Sequence, residues 1–159
     1  MTTPSLGQPV DDFELPATSG KIFRLSDFKD KAHVVLYFYP KDSTPGCTTE
    51  GQDFRDAYAQ FQVAETVVFG ISRDSLKSHE NFREKQQFPF ELLSDTQEVA
   101  CQLFDVIKLK NMYGKQVRGI ERSTFLMDKH GILRQQWRKV SVKDHVAAVL
   151  AAAKSLSLG

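Results

Sequence analysis

Cysteine is scarce in this sequence: Cys47 and Cys101 are the only two among 159 residues, and they lie far apart. With no CxxC and no Cys/His pairing at ligand spacing, a disulfide scaffold and a zinc site are both excluded, and no metal is expected. A lone thiol in a reducing compartment is either a small buried hydrophobe or a reactive group, and its surroundings must separate the two. An excess of charge of one sign is also missing. The chain carries 21 basic and 20 acidic residues, interspersed, for a formal charge of +1. That leaves no electrostatic footprint for nucleic acid or a membrane surface. No apolar run approaches membrane-spanning length. The opening Met-Thr-Thr-Pro-Ser-Leu-Gly-Gln-Pro has neither the basic start nor the apolar core of a secretory signal. The expected location is a reducing cytoplasm, and the expected unit is one domain over residues 1–159, because no linker or repeat divides the chain.

The sequence does hold clear periodicities. Residues 13–15 and 22–25 flank the turn-rich stretch 16–20, which predicts a short hairpin, with a single helical turn starting at Ser26 or Asp27. Residues 33–39 (His-Val-Val-Leu-Tyr-Phe-Tyr) and 66–72 (Thr-Val-Val-Phe-Gly-Ile-Ser) are apolar at nearly every position. Such runs predict strands buried on both faces. Between them, Phe54, Ala57, Tyr58 and Phe61 form one stripe of a helix over about 48–62. A second helix is expected over 75–87. A third, capped from Ser94-Asp95-Thr96, carries Val99, Ala100, Leu103 and Phe104. Residues 108–119 are polar and Gly-punctuated, and are expected to be a loop. Strands at 123–127 and 132–137 are joined by a turn over 128–131, and Val142, Val146, Val149, Leu150 and Ala153 mark a closing helix. This order predicts an α/β, thioredoxin-like fold, with a central mixed sheet flanked by helices and an added N-terminal β-hairpin.

Cys47 falls where the first buried strand has ended at Pro40 and the next helix is beginning. Unpaired N–H groups and the positive end of the helix dipole converge at such a point and favour an anion, hence the thiolate, which is the nucleophilic form. Pro45 stiffens the lead-in, Gly46 allows close backbone approach, and the Thr44 hydroxyl is both donor and acceptor.

Pro40-x-x-x-Thr44-x-x-Cys47 matches the active-site motif of the peroxiredoxins. Residues 38–50 (Phe-Tyr-Pro-Lys-Asp-Ser-Thr-Pro-Gly-Cys-Thr-Thr-Glu) resemble the bacterioferritin comigratory protein, or PrxQ, subfamily. The blocks at 6–13, 70–75, 78–82, 92–95 and 121–128 are similar to it in order, so the resemblance covers nearly the whole chain. It implies a thiol peroxidase that reduces hydrogen peroxide and small organic hydroperoxides, needs no cofactor and is a monomer. By the same resemblance Cys47 is the peroxidatic cysteine, oxidised to a sulfenic acid. Thr44 orients the peroxide, and Arg122 matches the active-site arginine that stabilises the thiolate and the departing oxygen. Pro40 shields the pocket from water. Glu50 has two readings: a buttress for the arginine or for backbone groups, or simply a favourable acid in the first helical turn.

The chain departs from its relatives at the next step. The subfamily's resolving cysteine lies five residues after the peroxidatic one or in the following helix, and those positions here are Gln52 and Arg83. Cys101 is then either a packed small residue or an atypical resolving cysteine. A one-cysteine cycle is expected, with an external thiol, thioredoxin or glutathione with glutaredoxin, reducing Cys47. The rival from another class is a redox-sensing or chaperone-like binding protein. A thioredoxin-type reductase would need a second cysteine where Glu50 stands. His33, His79, His130 and His145 are scattered through different elements and are read as capping, packing or solvated groups.

Overall fold

The two continuous apolar runs become the centre of a five-stranded sheet in the structure, a computed structural model that describes residues 2–158. They form β3 (His33–Phe38) and β4 (Thr66–Ser72), preceded by a hairpin of β1 (Glu14–Pro16) and β2 (Ile22–Arg24) and followed by β5 (Leu92–Ser94). Strands β6 (Ile107–Met112), β7 (Lys115–Ile120), β8 (Ser123–Met127) and β9 (Leu133–Trp137) complete the set. The helices are α1 (Pro45–Val63), α2 (Leu76–Gln86), α3 (Val99–Leu103) and α4 (His145–Leu158). The sheet order is β5-β4-β3-β8-β9. β3 and β5 run parallel to β4, whereas β8 is antiparallel to both β3 and β9. This is the mixed α/β architecture that the element order predicts.

Because side chains alternate across a strand, β3 feeds two cores. Val34, Leu36 and Phe38 face Phe13, Leu15 and Phe23 of the hairpin region and Ala100, Cys101 and Leu103 of α3. Val35, Tyr37 and Tyr39 face Phe54 and Phe61 of α1, Phe82 of α2 and Val149 of α4. Cys101 therefore belongs to one face of the sheet and Cys47 to the other.

Two local expectations are corrected, and one strand was not expected. Residues 108–119 are not a loop: β6 and β7 pair antiparallel from Ile107↔Ile120 to Met112↔Lys115. Tyr113 and Gly114, both at positive φ, make the two-residue turn. Most of this ribbon's side chains are exposed, and the apolar/polar alternation of Ile107-Lys108-Leu109-Lys110 breaks at Asn111, too short a run to reveal a strand. β5, three residues long, was too short for its own signal. The third helix starts at Val99 rather than beside Ser94, and the Asp95 carboxylate caps it at a distance by accepting from the N–H groups of Val99 (2.6 Å) and Cys101 (2.8 Å).

Gly51 in α1 marks a close approach to the loop between α2 and β5. A Cβ there would lie 2.3 Å from the ring of Phe88, which is itself stacked on Phe90 and edge-on to Phe82. Alanine would add roughly 1 kcal/mol of helix propensity, but overpacking a buried ring costs about 1–3 kcal/mol. Gly51→Ala is accordingly expected to destabilise the protein by up to about 2 kcal/mol, read as a lower urea midpoint at unchanged slope.

Candidate active site

The register between β3 and β8 assembles the site. The last pair, Phe38↔Ser123, leaves Arg122 one residue before β8 and the 39–44 loop just after β3. Residues far apart in the chain thus meet at one end of two interior strands. α1 begins at Pro45, with Thr44 extended at the N-cap and making no side-chain cap bond. Proline suits this first position because its missing N–H costs nothing there. Cys47 is the third residue of the helix, so its sulfur sits at the positive end of the dipole, among amides that Thr44 does not cap.

Cys47 is a free thiol, only 2% exposed. Arg122 lies against it, with Nη2 donating to Sγ at 3.5 Å and Nη1 donating to Glu50 Oε1 at 2.6 Å. The guanidinium also covers Gly46, where a Cβ would come within 3.1 Å of Nη2. A Cβ at 46 would require the guanidinium to shift by a few tenths of an ångström. Thr44 Oγ1 donates to the Lys41 carbonyl at 2.8 Å, which leaves its lone pairs free to accept. Pro40 is exposed at the rim of the same loop. Gly46, Cys47, Glu50 and Arg122 are thus in mutual contact, Thr44 stands at the N-cap of the same helix, Pro40 lies exposed earlier in the loop, and Cys101 does not join them.

Glu50 is the sixth residue of α1, since the helix starts earlier than its apolar stripe indicated, and it is not the first-turn acid of one reading. Its side chain is wholly buried. One oxygen pairs with Arg122, while the other, like the Tyr37 hydroxyl nearby, finds no partner among the described residues. Burial raises its carboxyl to about 7 against the opposing pull of Arg122. The folded protein then holds this proton up to about pH 7, whereas an unfolded chain releases it near 4.5. Folded molecules bind more protons in that window, so stability falls as pH rises through it, by on the order of 3 kcal/mol. Glu50→Gln removes the titration. Its stability relative to the unmodified protein should therefore rise between pH 5 and 8, as measured by urea unfolding at each pH. Parallel curves would show that Glu50 does not titrate there.

Cys101 is fully buried, and desolvation together with the adjacent Asp95 carboxylate pushes its thiol well up. His145 accepts or donates to Thr124 at 2.8 Å, and is lowered to about 4 by burial and by Arg122, so it is neutral. A buried polar cluster beneath the 39–44 loop escaped sequence reading. It holds Tyr39, Asp42, Asp74, Ser78 and His79, with the carboxylates of Asp42 and Asp74 and a ring nitrogen of His79 within 4.8 Å of one another. Its residues fall in the 38–50, 70–75 and 78–82 blocks that resemble the subfamily, but nothing in the sequence indicates that they meet.

Residues 6–136 match the model of the AhpC/TSA family. The chain is 51% identical to peroxiredoxin Bcp of Bacillus subtilis (strain 168) over 155 residues, covering 98% of each. It superimposes on bacterioferritin comigratory protein of Xanthomonas campestris with a TM-score of 0.86 at 52% identity, covering 91% of this chain and 92% of that one. That structure was described for its alkyl peroxide reduction activity. With PrxQ of Xylella fastidiosa the TM-score is 0.91 at 41% identity, covering 98% of each chain.

Proposed function

From the premise that this chain belongs to the AhpC/TSA family, among its Bcp/PrxQ peroxiredoxins, we propose that it reduces hydrogen peroxide and small alkyl hydroperoxides through Cys47 and is recycled by an external thiol. The observation that carries the reading is the Arg122 guanidinium 3.5 Å from Sγ of Cys47, at the start of α1. The thiolate attacks one peroxide oxygen, the O–O bond breaks, and the electron pair leaves on the distal oxygen, which takes a proton to become an alcohol or water. Cys47 becomes the sulfenic acid. Arg122 stabilises the thiolate and the charge growing on the departing oxygen, Thr44 accepts from the peroxide OH, and Glu50 fixes the guanidinium. Pro40 covers the loop edge and Gly46 gives the arginine room. Residues 1–159 act as one monomeric domain, suited to a reducing cytoplasm; no helix among the described residues is long and apolar enough to cross a membrane.

Recycling then takes two external thiols. The first forms a mixed disulfide with Cys47 and releases water, and the second releases Cys47 as thiol and leaves as disulfide. Glutathione with glutaredoxin, or thioredoxin, has the required chemistry. Two observations favour an external donor over Cys101. The two cysteines pack on opposite faces of the sheet, whereas a disulfide needs Cα atoms within about 7 Å and facing side chains. Cys101 is also held in the unreactive thiol form by burial.

After one equivalent of peroxide, the intact protein should gain one oxygen, and Cys101 should still titrate as a free thiol on unfolding. Cys101→Ser should turn over normally with the external donor. A product lighter by two hydrogens, with Cys101→Ser inactive, would establish Cys101 as the resolving residue. Stoichiometric oxidation that no thiol donor reverses would favour a sensor over an enzyme.

A further inference from the structure

The cluster under the 39–44 loop is built around His79, which is fully buried. Nε2 lies 2.9 Å from the Leu93 carbonyl, an acceptor only, so Nε2 carries a hydrogen. Nδ1 lies 2.7 Å from Asp42 Oδ2. Asp42 already receives hydroxyl hydrogens from Tyr39 (2.6 Å) on one oxygen and Ser78 (2.8 Å) on the other. Two such donors favour the carboxylate form, which puts the shared proton on His79. The Asp42 backbone N–H in turn donates to Asp74 Oδ2 at 3.0 Å, and Asp74 accepts from Ser72 Oγ at 2.5 Å. Residue 42 is thereby tied to the end of β4, the first turns of α2 and the strand β5. It lies two residues before Thr44, and its neighbour Lys41 supplies the carbonyl that orients the Thr44 hydroxyl.

We propose that His79 is a positioning residue for the peroxide step: as an imidazolium held between Asp42 and the Leu93 carbonyl, it locks residues 40–44 so that Thr44 stays placed to orient the peroxide. This rests on the role given to Thr44 above. The physical reason for burying such a pair is geometric. A loop held by apolar contact alone slides, whereas a charged, hydrogen-bonded pair in a low-dielectric site has one arrangement. The pair adds nothing to the charge at Cys47, where Arg122 and the helix dipole act, so its loss should spare general thiolate reactivity.

Two rate constants test it, reaction of Cys47 with peroxide and alkylation of Cys47 by iodoacetamide. His79→Gln should slow the peroxide reaction about tenfold or more, the scale of a small misplacement of reacting groups, with alkylation unchanged. Thr44→Val should show a similar loss, and Thr44→Val/His79→Gln no more than either alone, since one acts through the other. The double variant D42N/H79Q removes both charges together and should show the same deficit if a single variant is too unstable to assay. Nitrogen NMR of the unmodified protein should find hydrogen on both ring nitrogens of His79. The proposal is overturned by a normal peroxide rate in the His79 variants, by an additive loss in the Thr44 double, by faster alkylation, which would mean a loosened helix, or by a bare ring nitrogen. A normal rate in Thr44→Val overturns the reading of Thr44 instead.

Discussion

Cys47→Ser is expected to abolish peroxide consumption, with a loss on the order of 10⁴-fold or more, the scale seen when a covalent nucleophile is removed. The substitution changes volume little, so the fold should survive with nearly the same melting temperature. The chemistry does not survive. A serine hydroxyl is not ionised at neutral pH, and the deeper reason is the bond that would form. Sulfur attack exchanges a weak O–O bond for a stronger S–O bond, while attack by a serine oxygen would only make another O–O bond. Arg122 and the start of α1 would still present positive charge to the pocket. A peroxide could bind without reacting. The measurement is peroxide loss in the presence of a thiol donor, beside a thermal melt. Turnover surviving in Cys47→Ser would place the reaction on Cys101, and the assignment of Cys47 would fall.

The second large effect is expected from Arg122→Ala, with a fall of about 10²–10³-fold in the second-order rate with peroxide. That is what removing one preorganised donor from a developing oxyanion costs elsewhere, about 3–4 kcal/mol. Arg122 stands to lose more than charge. Its two terminal nitrogens hold different partners, Sγ of Cys47 and Oε1 of Glu50, and a lysine ammonium cannot reproduce that fork. Arg122→Lys should therefore recover only part of the rate.

The same substitution strands Glu50, which is wholly buried and has no other partner for its paired oxygen among the described residues. Breaking a buried pair by removing one member typically costs about 3–5 kcal/mol, less whatever is regained when the carboxyl takes up a proton. Catalytic and structural losses would then be mixed in Arg122→Ala. The double variant Arg122→Ala/Glu50→Gln separates them. Stability should largely return, because no charge is left buried, and the peroxide rate should stay low. A double variant that regains both would mean Arg122 serves the fold and not the reaction.

How much of this was readable beforehand differs by element. The central strands announced themselves because both faces are buried, which leaves a run of apolar residues that no loop would carry. The Thr44-Pro45-Gly46-Cys47 lead-in was legible for a similar reason: a strand end, a proline at the first helical position and a cysteine two residues on leave one local geometry. The β6–β7 ribbon was illegible because its strands are held together by backbone pairing, and their side chains, mostly in solvent, alternate only over 107–110. Glu50 kept two readings, since choosing between them required knowing that α1 starts at Pro45 and that Arg122 lies beside it.

By itself, then, the sequence determined the α/β class, the order of most elements, the family resemblance and the place of Cys47 at the start of a helix, because each follows from residues adjacent in the chain. Tertiary structure alone decided the rest. It set Arg122 3.5 Å from the sulfur of Cys47, buried Glu50 against it, and placed Cys101 on the far face of the sheet. It also folded His79 of α2 under the loop that carries Thr44, 2.7 Å from Asp42. These are contacts between residues far apart in sequence. Strand register and helix packing set them, and no local pattern of side chains encodes either.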